Sequence, residues 1–290
     1  MKILSWNIRG MNSCHKRDIV RNLARDHRMD IFLIQETKMS KERVEKIKFF
    51  KFCESQGSSS NGASGGAVTL WNSHFIQGVP FCHDDNHIAT LFKHIRDGFS
   101  WILFNIYVPN NKVSRRKFWA RVSSFCCNHP NAPWLVIGDF NTPLQETDKF
   151  GGSQIQLDSK QDLADFINDQ CLIDLDLTKA SFTWSNHRIG AELIQVRLDQ
   201  ALISIDWLQR YSCSLNSMIK VGSDHYPISL MVEPKGGQRR KFPFRFEKMW
   251  LSHPSQYNCV KEWSIQIDGI TLFHIAKKMR FVKKMVKKME

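Results

Sequence analysis

Two runs of four apolar residues, Ile31-Phe32-Leu33-Ile34 and Trp134-Leu135-Val136-Ile137, break off abruptly into polar groups. The first ends in Gln35-Glu36-Thr37-Lys38 and the second in Gly138-Asp139-Phe140-Asn141. Such a segment reads as a strand that buries its apolar part and delivers a polar group at its end. Ser5-Trp6-Asn7 and Ser223-Asp224-His225 sit at equivalent points, one closing a strand and one opening a strand. Four strands ending in this way can converge on one pocket.

The elements between them constrain the architecture further. Cys14 to Met29 carries Ile19, Val20, Leu23 and Ala24 among charges, a helical period. A polar, Gly/Ser-rich loop over Gln56 to Gly66 leads into Ala67-Val68-Thr69-Leu70-Trp71, and strand-like runs come next at Ile88 to His94 and Trp101 to Val108. Ser114 is placed to cap a helix bearing Phe118, Trp119, Val122 and Phe125. A helix over Asp158 to Asp169 and strands at Ser181 to Trp184, Gln195 to Ile203 and Tyr226 to Val232 complete the first part of the chain. Hairpin-like neighbours mixed with helical covers predict two packed sheets with helices outside, rather than regular βα alternation.

Charge divides the chain in two. Of its 41 Lys and Arg and 28 Asp and Glu, 14 and 4 respectively fall in residues 235–290, leaving 27 against 24 in the first 234. The basicity therefore belongs to the tail, and a groove for an anionic ligand in the rest must use local groups such as Arg9, Lys16, Arg17, Lys38, Arg115, Arg116 and Lys117. Residues 1–233 are expected to form one globular domain and 234–290 a basic linker and amphipathic tail, with the edge at Pro234-Lys235-Gly236-Gly237. Within the tail, Leu272, Ile275, Met279, Val282, Val286 and Met289 are spaced 3-4-3-4-3 among lysine pairs. A helix there would carry one apolar seam beside a cationic face, with a partner that the sequence does not identify. Apolar stretches are too short for a membrane span or a signal peptide, and the eight cysteines lack Cys-x-x-Cys spacing, so an intracellular protein with reduced thiols is expected.

The clusters also carry chemistry. Glu36 is the best candidate ligand for a hard cation, and Asn7 offers a neutral oxygen beside it without added repulsion. In Gly138-Asp139-Phe140-Asn141 the glycine permits a tight backbone, and the acid and amide two positions apart project to the same side. Asp139 can accept a proton and Asn141 can hold an anionic oxygen. Asp-x-Asn also occurs in turns and calcium loops, but the other ligands of an EF-hand loop are missing here. Asp224 and His225 add a carboxylate and an imidazole, and Asp199 is placed to orient the His225 ring.

In order and wording these motifs resemble the endonuclease/exonuclease/phosphatase superfamily, and within it the apurinic-like endonuclease of plant LINE-type non-LTR retrotransposons. The matching segments are Leu4-Ser5-Trp6-Asn7-Ile8-Arg9-Gly10, Gln35-Glu36-Thr37-Lys38, Ala63-Ser64-Gly65-Gly66, Asn105-Ile106-Tyr107-Val108-Pro109-Asn110, Gly138-Asp139-Phe140-Asn141, Phe182-Thr183-Trp184-Ser185-Asn186, Arg197-Leu198-Asp199 and Ser223-Asp224-His225-Tyr226-Pro227-Ile228. The likeness covers residues 1–233, with an echo at Phe244 to Leu251.

The resemblance implies an α/β fold, a four-layered sandwich of two central mixed, largely antiparallel sheets flanked by helices, with the C-terminal basic helical tail appended. It implies that Glu36 binds Mg2+, with Mn2+ able to replace it, that Asn7 assists, and that Asp224 completes the metal network. Tyr107, Asn141 and His225 would contact phosphate, Asp139 would position or deprotonate water, and Asp199 would orient His225. Ser185-Asn186 occupies a family position near substrate. The expected activity is a metal-dependent nick in one DNA strand that leaves a 3′ hydroxyl and a 5′ phosphate, carried out in the nucleus. Hydrolysis of RNA or of a small phosphorylated molecule is the alternative within the same chemistry. A catalytically silent, retrotransposon-derived interaction protein is the alternative outside it.

Overall fold

The computed structural model describes residues 1–235 except 46–51, 53, 62–63, 85, 130 and 154–156. In chain order, β1 (Lys2–Asn7), α1 (Cys14–Asp26), β2 (Ile31–Gln35), α2 (Lys41–Glu45), β3 (Glu54–Asn61) and β4 (Ser64–Trp71) come first. β5 (Ile76–His83), β6 (His87–His94), β7 (Ser100–Tyr107), α3 (Lys112–Asn128) and β8 (Trp134–Asp139) are next. Then come β9 (Lys149–Phe150), α4 (Leu157–Asp169), β10 (Leu172–Asp174), β11 (Leu177–Thr178), β12 (Trp184–Ser185) and β13 (Gln195–Val196). β14 (Asp199–Ser204), α5 (Ile205–Arg210), β15 (Tyr211–Ser217) and β16 (Ile228–Pro234) complete the order.

The strands build one sheet in the order β11-β15-β16-β1-β2-β4-β3, a second in the order β10-β14-β8-β7-β6-β5, and a small third, β12-β13-β9. Both large sheets are mixed: β1 runs parallel to β2 and β7 to β8, while most other pairs are antiparallel. The central strands carry apolar residues on both faces because each feeds two cores. Ile31 and Leu33 of β2, Leu135 and Ile137 of β8, and Ala201 and Ile203 of β14 point into the core between the sheets, with Trp71, Phe92 and Trp101. Phe32 and Ile34 face the other way, against Val20 and Ala24 of α1. Val136, Phe104 and Leu202 face outward from the second sheet onto Phe118, Trp119 and Val122 of α3 and Leu163 and Phe166 of α4. The layers are therefore helix, sheet, sheet, helix, the four-layered arrangement expected from the motifs.

Some local expectations need correction. The polar Gln56–Gly66 stretch is not a loop for most of its length: it is β3, paired to β4 along Glu54–Asn61. Serine and glycine suffice there because β3 is the edge of its sheet, held by backbone pairing. The N-cap of α3 is Asn111, whose side chain accepts the Ser114 N–H at 3.1 Å, so Ser114 lies inside the helix. The Gln195–Ile203 segment divides into β13 and β14, which belong to different sheets. The tail from 236 onward, including the 3-4-3-4-3 seam, lies outside the described residues. Among those that are described, no helix is long and apolar enough to cross a membrane, and six cysteines are free thiols.

Candidate active site

Strand register assembles the site. Across the second sheet Tyr107 of β7 stands opposite Asp139 of β8, and Asp139 opposite Asp199 of β14. In the first sheet Asn7, at the end of β1, stands opposite Gln35, so Glu36 is the first residue past that edge. Backbone conformation then aims the groups. Gly138, at φ 150°, lies so close to β7 that a Cβ would come within 2.1 Å of the Ile106 carbonyl oxygen, which is why a glycine precedes Asp139. Glu36 and Asn141 take the left-handed region at φ 49° each.

The polar groups form one connected network. Asn7 donates its amide N–H to Asp139 Oδ2 at 2.8 Å, and its own Oδ1 accepts the Arg9 N–H at 3.1 Å. His225 Nδ1 lies 2.9 Å from Asp199 Oδ2, and its Nε2 lies 3.8 Å from Asp139 Oδ2. Tyr107 donates its hydroxyl to Glu36 Oε1. Asp224 accepts from Trp184 Nε1 at 2.9 Å and from the Arg9 guanidinium. Asn141 spends one amide hydrogen on the Val108 carbonyl at 2.7 Å, leaving the other for a ligand. All eight candidate residues, Glu36, Asn7, Asp224, Tyr107, Asp139, Asn141, Asp199 and His225, are thus brought together. Ser185 is buried beside Trp184 in the chain and accepts the His187 N–H at 3.3 Å, whereas Asn186 closes the hairpin that carries it, accepting the Ile194 N–H at 3.0 Å.

Electrostatics separates the roles. Burial pushes the Asp139 carboxyl up, to about 7, against the pull of His225. Burial also opposes charge on His225, but Asp199 and Asp139 outweigh it and raise the imidazole to about 9. Burial and the bond to Glu36 drive the Tyr107 phenol well above its ordinary value, so it acts as a proton donor and not as a phenolate. Hydrogen bonds from Trp184 and Arg9 overcome burial and hold Asp224 below the usual carboxylate range.

Two donor sets invite a cation. Glu36 Oε2 is buried with no hydrogen-bond donor, and Glu36 and Asp224 both reach the same guanidinium, so two hard carboxylates lie close together with the Asn7 oxygen nearby. This fits a hard, oxygen-seeking divalent ion. Asp139, Asp199 and His225 also bring donor atoms within 4.8 Å of one another. There, however, the imidazole nitrogen Nδ1 is already engaged by Asp199, an arrangement suited to proton handling.

Several supporting residues do not stand out in the sequence. Thr183 is fully buried, and its hydroxyl accepts the N–H groups of Leu198 and Asp199 at 3.0 and 2.9 Å, while its carbonyl accepts Tyr226 N–H at 2.7 Å. It therefore ties Asp199 to the His225 segment. Arg197, buried, grips Asp174 with two nitrogens at 2.8 Å. Both lie in segments marked by the family resemblance, which is the one signal the sequence offers for them. Of the cations proposed for a groove, Arg115 is excluded: it is buried and bonds Ser159 and the Asn110 carbonyl.

Comparison with known proteins agrees with this geometry. The Endonuclease/Exonuclease/phosphatase family profile matches residues 4–225. An exodeoxyribonuclease of Bacillus subtilis (strain 168) is 21% identical over 258 residues, covering 80% of this chain and 99% of that protein. The 3′ phosphatase NExo from Neisseria bound to product DNA hairpin superposes with a TM-score of 0.62 at 17% identity, over 80% of this chain and 99% of that one. The endonuclease domain of TRAS1, a telomere-specific non-LTR retrotransposon, superposes with a TM-score of 0.62 at 14% identity, over 80% and 98%. With the family's motifs gathered at the ends of two facing sheets, the chain belongs to the endonuclease/exonuclease/phosphatase family and is a hydrolase of that family.

Proposed function

We propose that this protein is a magnesium-dependent DNA endonuclease that nicks one strand, leaving a 3′ hydroxyl and a 5′ phosphate, and that it is related to the endonucleases of LINE retrotransposons. The observation that carries the reading is the convergence of Asp139, the Asp199–His225 pair and the Glu36–Asp224 carboxylates on one network. Glu36 and Asp224, with Asn7, hold the divalent ion, which when bound neutralises phosphoryl charge and acidifies water. Asp139 takes a proton from the attacking water; it is buried, its carboxyl is raised to about 7, and Asn7 and the Asn141 N–H fix it in place. His225, held protonated and aimed by Asp199, donates Nε2–H to a phosphoryl oxygen where negative charge grows. Tyr107 turns its single hydroxyl hydrogen from Glu36 to the same group once that carboxylate is engaged by the ion, and Asn141 adds its free amide hydrogen. No side chain forms a covalent bond to phosphorus. DNA as substrate draws support from the Neisseria structure with its product DNA hairpin, and a nuclear site of action is proposed along with that substrate.

The test is nicking of supercoiled plasmid in chelator, with Mg2+ or Mn2+ restored, and with Glu36→Gln over a metal titration, beside parallel assays on RNA and inositol phosphates. The expected result is metal-dependent nicks that DNA ligase reseals, and an optimum in Glu36→Gln shifted to higher metal concentration. Full activity in chelator refutes the metal assignment, and turnover of RNA or inositol phosphate in place of DNA refutes the substrate.

A further inference from the structure

The turn after β1 lays Arg9 across the two carboxylates assigned to the metal. Arg9 at φ 50° and Gly10 at φ 101° bend the chain so that Gly10 N–H bonds the Glu36 carbonyl at 2.7 Å. The Arg9 N–H is held by Asn7 Oδ1 at 3.1 Å, and its carbonyl by Lys16 Nζ at 3.2 Å. With its backbone anchored on both sides, Arg9 sends its guanidinium to Asp224 Oδ2, while its Nε lies 3.5 Å from Glu36 Oε2. The side chain nevertheless stays 49% exposed, so it is free to swing without moving the loop.

Charge governs how the guanidinium and a cation share this spot. Two carboxylates and one guanidinium leave a net charge of about −1, and a divalent cation brings it to about +1. A guanidinium and a dication repel strongly when they share the same two oxygens in a partly buried setting. We propose that Arg9 is an internal counter-ion of the metal site, which leaves Glu36 and Asp224 when a divalent cation binds and then takes a phosphate oxygen of the nucleic-acid substrate. Cation and phosphodiester then bind cooperatively, because each supplies what the other displaces: the cation frees the guanidinium, and the phosphate gives its planar donor fork a new partner. The proposal rests on the metal reading above and assigns Arg9 a substrate-binding role within it.

The test uses the full chain, with Arg9→Gly, which suits φ 50°, Arg9→Lys, and Arg9→Gln as a second neutral variant; thermal unfolding checks each fold. Mn2+ binding without DNA is read by electron paramagnetic resonance. Affinity for a duplex oligonucleotide is read by fluorescence anisotropy in chelator and in Ca2+. Without DNA, Arg9→Gly and Arg9→Gln are expected to bind Mn2+ about tenfold more tightly than wild type, with Arg9→Lys between them. The gain in DNA affinity on going from chelator to Ca2+ is expected to be about tenfold larger in wild type than in the neutral variants. Equal Mn2+ affinity in all overturns the competition, and weaker affinity in the neutral variants shows that Arg9 supports the cation instead. Failure of every variant and wild type to bind Mn2+, with Glu36→Gln no different, overturns the metal reading itself.

Discussion

Replacing Asp199 with Asn keeps its shape but removes the charge that faces His225 at 2.9 Å inside a buried site. The imidazole sits near 9 against an ordinary 6.5, a preference for the protonated ring of about 3 kcal/mol. Burial by itself lowers it and Asp199 is the largest of the charges that raise it, so without that charge the ring falls back toward its ordinary value, with Asp139 still holding it up in part. A full return to 6.5 sets the upper bound: the protonated fraction at pH 8 would drop by up to about 30-fold, whereas at pH 6 it drops by less than about 2-fold. If His225 must carry its proton to stabilise the phosphoryl oxygens, the cleavage defect of Asp199→Asn tracks this ratio, large at pH 8 and small at pH 6. Single-turnover cleavage at saturating DNA and metal measures it, and taking the wild-type to variant ratio at each pH reduces the contribution from Asp139. A defect of the same size at both pH values refutes the electrostatic role and assigns Asp199 an orienting role alone.

Asp139→Asn is expected to lower single-turnover cleavage by about 10²–10⁴-fold with DNA affinity little changed, and wild-type cleavage by this variant would move water activation to another residue. In the wild type, cleavage should rise as pH climbs through about 7, where Asp139 loses its proton, and fall through about 9, where His225 loses its own; a flat profile over that range contradicts both roles. Gly138→Ala forces a Cβ against the Ile106 carbonyl at a backbone angle that only glycine tolerates well, and should cost about 2–4 kcal/mol, seen as a Tm lower by about 10 °C. A chain ending at Glu233 should bind DNA more weakly and with a shallower salt dependence while cleaving at a similar rate when saturated, and an unchanged salt slope would assign the basic tail to another partner.

The strand-end clusters are legible because burial and chemistry leave different marks: Ile31–Ile34 and Trp134–Ile137 must be covered, and the polar groups at their ends must stay open to a ligand. Tyr107, Asp139 and Asp199 fall into one row through register, which depends on pairing between segments far apart in the chain. The bridge from Arg9 to Glu36 and Asp224 is invisible in the sequence for the same reason. Strands at or next to a sheet edge are harder to read. β5 carries Pro80 with a bulge beside it, and β15 mixes Ser212, Ser214 and Asn216 into its apolar residues, so neither shows the signature of a central strand. At α3, Asn111 and Ser114 are both able caps three residues apart, and only the backbone decides between them.

The alternation of β8 between two cores has a further meaning for how this protein can change. Leu135 and Ile137 belong to the inner core and Val136 to the outer one, with Asp139 at the end of the same strand. Sliding β8 by one residue would exchange the side chains packed in the two cores, leaving voids and overlaps in both, and would carry Asp139 out of line with Tyr107 and Asp199. Folding and catalysis are therefore inspected by the same test: an inserted or deleted residue in this strand that spoils the chemistry also spoils the stability. Keeping the register of this one strand therefore keeps Tyr107, Asp139 and Asp199 in one row.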